Sequence, residues 1–154
     1  MGRWLLVCGA LAACAAPRSP PTPSGGLDAE GFRAPMERVA ADWREGNAAK
    51  AVECFTEDAL YEEPPRKQFD SGRADLFGFF GGEKGTELPM HMTWQHLVFD
   101  PDTQAGGGEY TFRLNRQYYG VVMVKPRGGQ IERWREYQIE SSLSFEDFSA
   151  ATRF

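Results

Sequence analysis

Two neighbouring carboxylates, Glu62 and Glu63, stand between Tyr61 and Pro64 in the stretch ALYEEPP, residues 59–65. A carboxylate between an aromatic ring and a pair of prolines fits two situations. It is a general base in an apolar pocket, where lost hydration raises its proton affinity, or it is a solvated turn residue that ends a strand. Strand alternation separates the pair, because neighbouring side chains leave opposite faces. Glu63 is the inward candidate and Glu62 the solvated one. A second carboxylate, Glu136, follows Trp134 by two residues in the run GGQIERWREYQ. In an aromatic pocket it would suit acid–base work on a small ligand; as part of a wall it would be paired with Tyr119, Tyr61 or an Arg. His96 alternates with Trp94 in the same way and is either a polar group inside a pocket or a structural residue at its rim. Neither His91 nor His96 has company at a metal-ligand spacing, so no metal is expected, and no cofactor.

Positioning these groups requires helices first and a sheet afterwards. Phe32, Met36, Val39, Ala40 and Trp43 recur at steps of three and four, the stripe of an amphipathic helix. Gly46-Asn47 interrupts it, and Ala48 to Phe55 predicts a second short helix carrying Cys54 as a small buried thiol. Ser71 is a candidate N-cap for a third helix that runs through Leu76, Phe77, Phe79 and Phe80 to Gly81-Gly82. Residues 90–99, 109–114, 118–125 and 130–141 read as strands. Turn material separates them: residues 100–102 with the glycines 106–108, then 115–116, then 126–129. The expected class is α+β, a curled antiparallel meander packed against three N-terminal helices.

A two-residue turn at Asn115-Arg116 would pair Phe112 with Tyr119 and Tyr110 with Val121. Counting across the next loop sets Val121 opposite Trp134 and Tyr119 opposite Glu136. One face then carries Tyr110, Phe112, Tyr119, Val121, Met123, Trp134 and Glu136. The other face carries Glu109, Thr111, Arg113, Arg133, Arg135 and Tyr137. A slip of one residue would exchange the two sets. The expected pocket wall combines the inner face with Val39, Trp43, Tyr61, Phe80, Trp94 and His96, and Phe79 can also converge on it.

The N-terminal residues lie outside this domain. Residues 1–13, MGRWLLVCGALAA, carry Arg3 ahead of an apolar run too short to span a bilayer, the pattern of a secretory signal. Leu11-Ala12-Ala13-Cys14 resembles the lipobox of bacterial lipoproteins, which implies lipidation of Cys14 and a membrane partner in the bacterial cell envelope, periplasmic or surface-exposed. Residues 14–26 are rich in Pro, Ser and Gly and predict a tether, leaving 27–154 as the folded domain. Loss of Cys8 with the signal and acylation of Cys14 would leave Cys54 alone, so no internal disulfide is expected. The chain carries 17 Lys and Arg against 22 Asp and Glu, with the basic residues scattered, which argues against a nucleic-acid partner.

The order helix, short helix, ALYEEPP, Ser-Gly-Arg with an aromatic helix, then a sheet ending GGQIERWREYQ resembles the nuclear transport factor 2-like superfamily, in its SnoaL-like and ketosteroid isomerase branch. The resemblance covers residues 27–141. It implies a cone closed by helices around an apolar pocket, and a homodimer through the outer sheet face. Phe32 to Pro64 aligns without a gap onto the isomerase pattern that ends Glu-Asp-Pro, which puts Glu63 at the general base. The oxyanion-hole donors of that enzyme, a Tyr and a protonated Asp, fall on Val39 and Val121, so steroid isomerisation is not expected. Nor can the Asp-Arg-Asp set of limonene epoxide hydrolases or the paired His of scytalone dehydratase be traced. The leading expectation is a lipid-anchored domain that binds a small hydrophobic molecule. The alternatives are a cofactor-independent isomerase, cyclase or hydrolase with Glu63 as base and Glu136 or His96 as acid, and a dimerisation module with a filled pocket.

Overall fold

The computed structural model describes residues 25–85 and 89–151. The expectations for the signal, for Cys14 and for the tether up to residue 24 lie outside them. Helix α1, Ala29–Arg44, is capped by Asp28, whose side chain accepts from the Gly31 N–H at 2.8 Å. Its stripe of Phe32, Met36, Val39, Ala40 and Trp43 is buried throughout. Helix α2, Ala48–Glu53, is capped by the Asn47 side chain and stops short of the expected end, with Cys54 as its C-cap and Phe55 already in a strand.

Strand β1, Phe55–Glu63, is the strand that ALYEEPP terminates, and Pro64–Arg66 forms a single 3-10 turn behind it. Lys67, at φ 58°, turns the chain back into β2, Gln68–Ser71, a short strand that the residue pattern did not predict. Helix α3, Arg73–Phe79, follows. Its N-cap is Gly72 rather than Ser71, which is the last residue of β2. Strands β3 (His91–Asp100), β4 (Ala105–Arg113), β5 (Gln117–Arg127) and β6 (Gln130–Glu140) make the expected antiparallel meander, and α4, Phe145–Ala151, closes the described chain.

The sheet has six strands in the order β2-β1-β6-β5-β4-β3, with β1 parallel to β6 and every other pairing antiparallel. It curls around α1 to form an unclosed cone, so the α+β expectation holds. Gly106, Gly107 and Gly108 belong to β4 and not to a turn. A Cβ on Gly106 would lie 2.6 Å from the Phe32 ring, and one on Gly107 2.4 Å from the Val122 carbonyl oxygen. The run of glycines lets the sheet bend onto α1 at a point where side chains would collide.

The register differs from expectation at β5. The loop after β4 has three residues, 114–116, and Arg113 pairs with Gln117. Phe112 therefore faces Tyr118, and Tyr110 faces Gly120, which turns every β5 side chain to the face opposite the expected one. A bulge between Lys125 and Pro126 and a tight turn at Gly128-Gly129 shift β6 against β5 by another odd number of residues, so Val122 lies opposite Glu136 and Val124 opposite Trp134. The two odd shifts cancel between β4 and β6. Tyr110, Phe112, Trp134 and Glu136 consequently share the inner face, while Tyr119, Val121 and Met123 point outward. Tyr119 is covered there by α4: its ring stacks on Phe148 at 3.9 Å, and its hydroxyl donates to the Leu143 carbonyl.

Candidate functional site

Within the cone the aromatic side chains leave a cavity of about 140 Å³. The helices contribute Trp43 from α1, with Phe79 and Phe80 at the end of α3. Met90 and Met92, with Tyr110, Phe112 and Leu114, form the wall on the β3–β4 side. Polar groups come from β1, β6 and the turn between β1 and β2: Tyr61, Glu136, Gln138 and Arg66. An edge-on contact of Trp43 with Trp134 at 5.8 Å and a parallel stack of Tyr61 on Trp134 at 5.7 Å hold these walls in place.

Glu136 is the carboxylate of this cavity, and its side chain is almost wholly buried. Its Oε1 accepts from the Tyr61 hydroxyl at 2.6 Å. Its Oε2 accepts from the Tyr110 hydroxyl at 2.8 Å and from the Trp134 indole N–H at 3.1 Å. Loss of hydration pushes the Glu136 carboxyl above the ordinary carboxylate range, the three donors pull it back, and the charge of Glu63 pushes it up again. Burial first, then the neighbouring carboxylate, raise both tyrosines far above their usual value, so they act here as neutral donors.

Tyr110 reaches Glu136 by lying across β5, and Gly120 permits this. A Cβ at position 120 would sit 2.5 Å from the Tyr110 hydroxyl oxygen. No other residue type fits there without moving the phenol off the carboxylate.

Glu63 is fully buried, as the pocket reading of ALYEEPP required, yet it does not line the cavity. Its Oε1 accepts from Gln138 Nε2 at 2.9 Å and pairs with Arg66 Nε at 2.8 Å, while its Oε2 has no partner. Burial pushes its carboxyl upward, opposed by the Gln138 hydrogen bond and the Arg66 charge. Gln138 and Arg66 thus stand beside Glu63 and line the cavity in its place. Glu62 points outward, bonded to Arg135.

Several expected pocket residues lie elsewhere. Tyr119 and Val121 are on the outer face because of the register shift at β5. His96 is on that face too, with Nδ1 3.3 Å from Glu109 Oε2; a bulge between Trp94 and His96 ends the alternation that linked them. Val39 is buried between α1 and the sheet, outside the cavity wall. Trp94 donates its indole N–H to the Met36 carbonyl at 2.8 Å, a strut between β3 and α1. Trp134 lies behind the cavity as a support for Glu136 and Tyr61.

The residue pattern had not singled out Arg66, Met90, Met92, Leu114 or Gln138. Gln138 and Met92 were within reach of it, since each is two residues from a named inward position, Glu136 and Trp94. Among the described residues no cluster of His, Cys, Asp and Glu can hold a metal ion. Cys54 is buried, and loss of hydration raises its thiol to about 11, which makes it inert at neutral pH.

The sequence matches no protein-family model and no curated protein. Solved structures do match the fold. A candidate ketosteroid isomerase from Kribbella flavida superposes with a TM-score of 0.61 at 21% identity, over 74% of this chain and 82% of that one. SalBIII, an epoxide hydrolase/cyclase-like enzyme of pyran ring formation in salinomycin, superposes with a TM-score of 0.62 at 18% identity, over 78% and 95%. An epoxide hydrolase of M. tuberculosis similar to limonene epoxide hydrolase gives 0.57 at 16% identity, over 71% and 83%. The protein therefore has the nuclear transport factor 2-like cone fold. Identities at this level establish the fold and leave its chemistry to the site.

Proposed function

We propose that the cone binds a small, largely apolar molecule and presents it from a domain anchored by lipid to the bacterial cell envelope. The observation that carries the binding reading is the cavity itself: about 140 Å³, walled by aromatic and Met side chains, with one buried carboxylate held by three donors at its polar side. Few polar groups in a mostly apolar enclosure are the usual composition of a small-molecule site. Native mass spectrometry of the protein purified from its own host tests this. A retained small molecule, lost from a variant whose cavity is filled by Phe in place of Leu114, is the expected result. A spectrum free of adducts under conditions that keep the fold would count against it.

The anchoring part of the proposal rests on the order of signal, Leu11-Ala12-Ala13-Cys14 and tether in the sequence. Cells fed radiolabelled palmitate should label the wild type and not Cys14→Ala; label surviving that substitution would refute lipidation at Cys14.

Catalysis with Glu63 as general base is the second reading, and one observation favours it. Glu63 Oε2 is buried without a partner, and burial raises the proton affinity of its carboxyl. It ranks lower because a base must come within about 3 Å of the proton it takes, directly or through one water, whereas Gln138 and Arg66 occupy the cavity wall at this point.

A further inference from the structure

Resting on the binding reading above, we infer that the molecule carried in the cone is a small organic cation, a protonated or quaternary amine, held between aromatic faces and the carboxylate of Glu136.

The wall chemistry leads there. Trp43, Tyr61, Phe79, Phe80, Tyr110 and Phe112 surround the cavity. Ring faces carry negative quadrupole density and attract a cation within about 6 Å of the centroid, most strongly where water is excluded. Beside them sits a carboxylate that is bonded to no cationic side chain among the described residues: its three partners are two phenols and an indole. Neutral donors stabilise the ionised form of Glu136 but leave its charge uncompensated in a mostly apolar enclosure. An apolar neutral ligand would dry it further and leave that cost standing. A cationic ligand would offset it.

The remaining charged groups near the cavity fit the same reading. Arg66 lines the mouth, but its Nε is bonded to Glu63 and its guanidinium lies 5.0 Å above the Tyr118 ring. Its charge is balanced locally, and the stack on Tyr118 shows that the rim already accommodates a cation over an aromatic face. Counting Glu63, Glu136 and Arg66 together, the ionised site carries one negative charge more than positive. Tyr61 and Tyr110 remain neutral donors, so among the described residues of the cavity wall nothing else cancels that excess.

Size limits the ligand. A protein cavity of about 150 Å³ holds benzene, so the cone takes a body of similar bulk, such as a trimethylammonium group with a short substituent. Binding of the cation favours ionised Glu136, so the fraction of protein that holds a proton there releases it on binding.

The test uses the full-length protein and two probes of one shape: choline, and its neutral isostere in which tert-butyl replaces trimethylammonium. Calorimetric titration in two buffers of different ionisation enthalpy measures affinity and proton release together. The inference predicts that choline binds about tenfold or more tightly than the isostere, with affinity rising as pH rises through the titration of Glu136 and with protons released below it. Equal or tighter binding of the isostere would overturn the inference while leaving an apolar binding cone in place. Failure of both probes to bind would overturn the inference and count against the binding reading as well. Because the comparison is made on the wild type, it does not depend on whether Glu136→Gln folds.

Discussion

Glu63 and Glu136 are both buried, yet they differ in what satisfies them. All the hydrogen-bonding partners of Glu136 are donors in place, whereas Glu63 leaves Oε2 unpartnered, and Oε1 of its neighbour Gln138 is unpartnered too. Glu63→Gln would convert the first of these acceptors into an amide N–H able to donate to the second. We expect the variant to fold normally and to gain about 1 kcal/mol at neutral pH in denaturant unfolding, since two orphaned acceptors become one hydrogen bond. Loss of the ion pair subtracts little, because Arg66 is half exposed. The sign of the pH dependence follows from the raised carboxyl. Below the unfolded-state value of about 4.3, wild-type Glu63 is protonated in both states and costs nothing. As pH rises through the higher folded-state value, that stability is lost. The advantage of Glu63→Gln should therefore be absent in acid and grow toward neutrality. A difference between the two proteins that stays flat with pH would show that Glu63 is not perturbed by burial.

At the scale of elements, β5 decides which residues meet. Gly120 is the position where that strand yields to Tyr110, and Gly120→Ala should lower stability by about 1–3 kcal/mol through overpacking. It should also weaken ligand binding by displacing the phenol from Glu136. Unchanged unfolding midpoints and unchanged affinity would mean that Tyr110 can be held elsewhere. The same strand shows what the residue pattern could and could not convey. Periodicity located α1 and its buried face, the four strands of the meander and the α+β class, because burial on one side leaves a repeat in sequence. Alternation also put Trp134 and Glu136 on the same face. Loop length left no such trace. Leu114-Asn115-Arg116 and the bulge at Lys125/Pro126 are each an odd residue, invisible in composition and sufficient to turn Tyr119 and Val121 outward. Strand β2 escaped because it is four residues long and half exposed, with no apolar repeat to reveal it. Gln138, two residues past Glu136 on the same face, gains its role only through contact with Glu63 across β1 and β6, a tertiary fact. Arg66 meets Glu63 through the 3-10 turn Pro64–Arg66, a local contact that leaves no apolar repeat in sequence.

On the scale of the whole molecule, the outer face of the sheet bears Val98, Val121, Met123, Tyr137 and Ile139, all exposed, the last at 72%. Contiguous apolar residues on a sheet face that is only partly covered by α4 call for a partner. We propose that a second copy of this chain supplies it, the exposed apolar side chains of one face packing against the same face of the other. Sedimentation should give twice the monomer mass for the wild type and the monomer mass for Val121→Lys/Met123→Lys, with unchanged circular dichroism. A monomeric wild type at micromolar concentration would remove the proposal.

The opposite side of the sheet holds the central claim, that the cone is an open ligand site. Methionine positions make it directly observable. Met90 and Met92 line the cavity, Met36 is buried in α1 against the sheet, and Met123 stands on the outer face. With the methionine methyl groups labelled for NMR, titration with choline and with its neutral isostere reports which surface either probe occupies. The account predicts that at least one probe shifts Met90 and Met92 in a saturable way while Met123 stays fixed. Shifts confined to Met123, or no saturable shift of Met90 and Met92 with either probe, would contradict it.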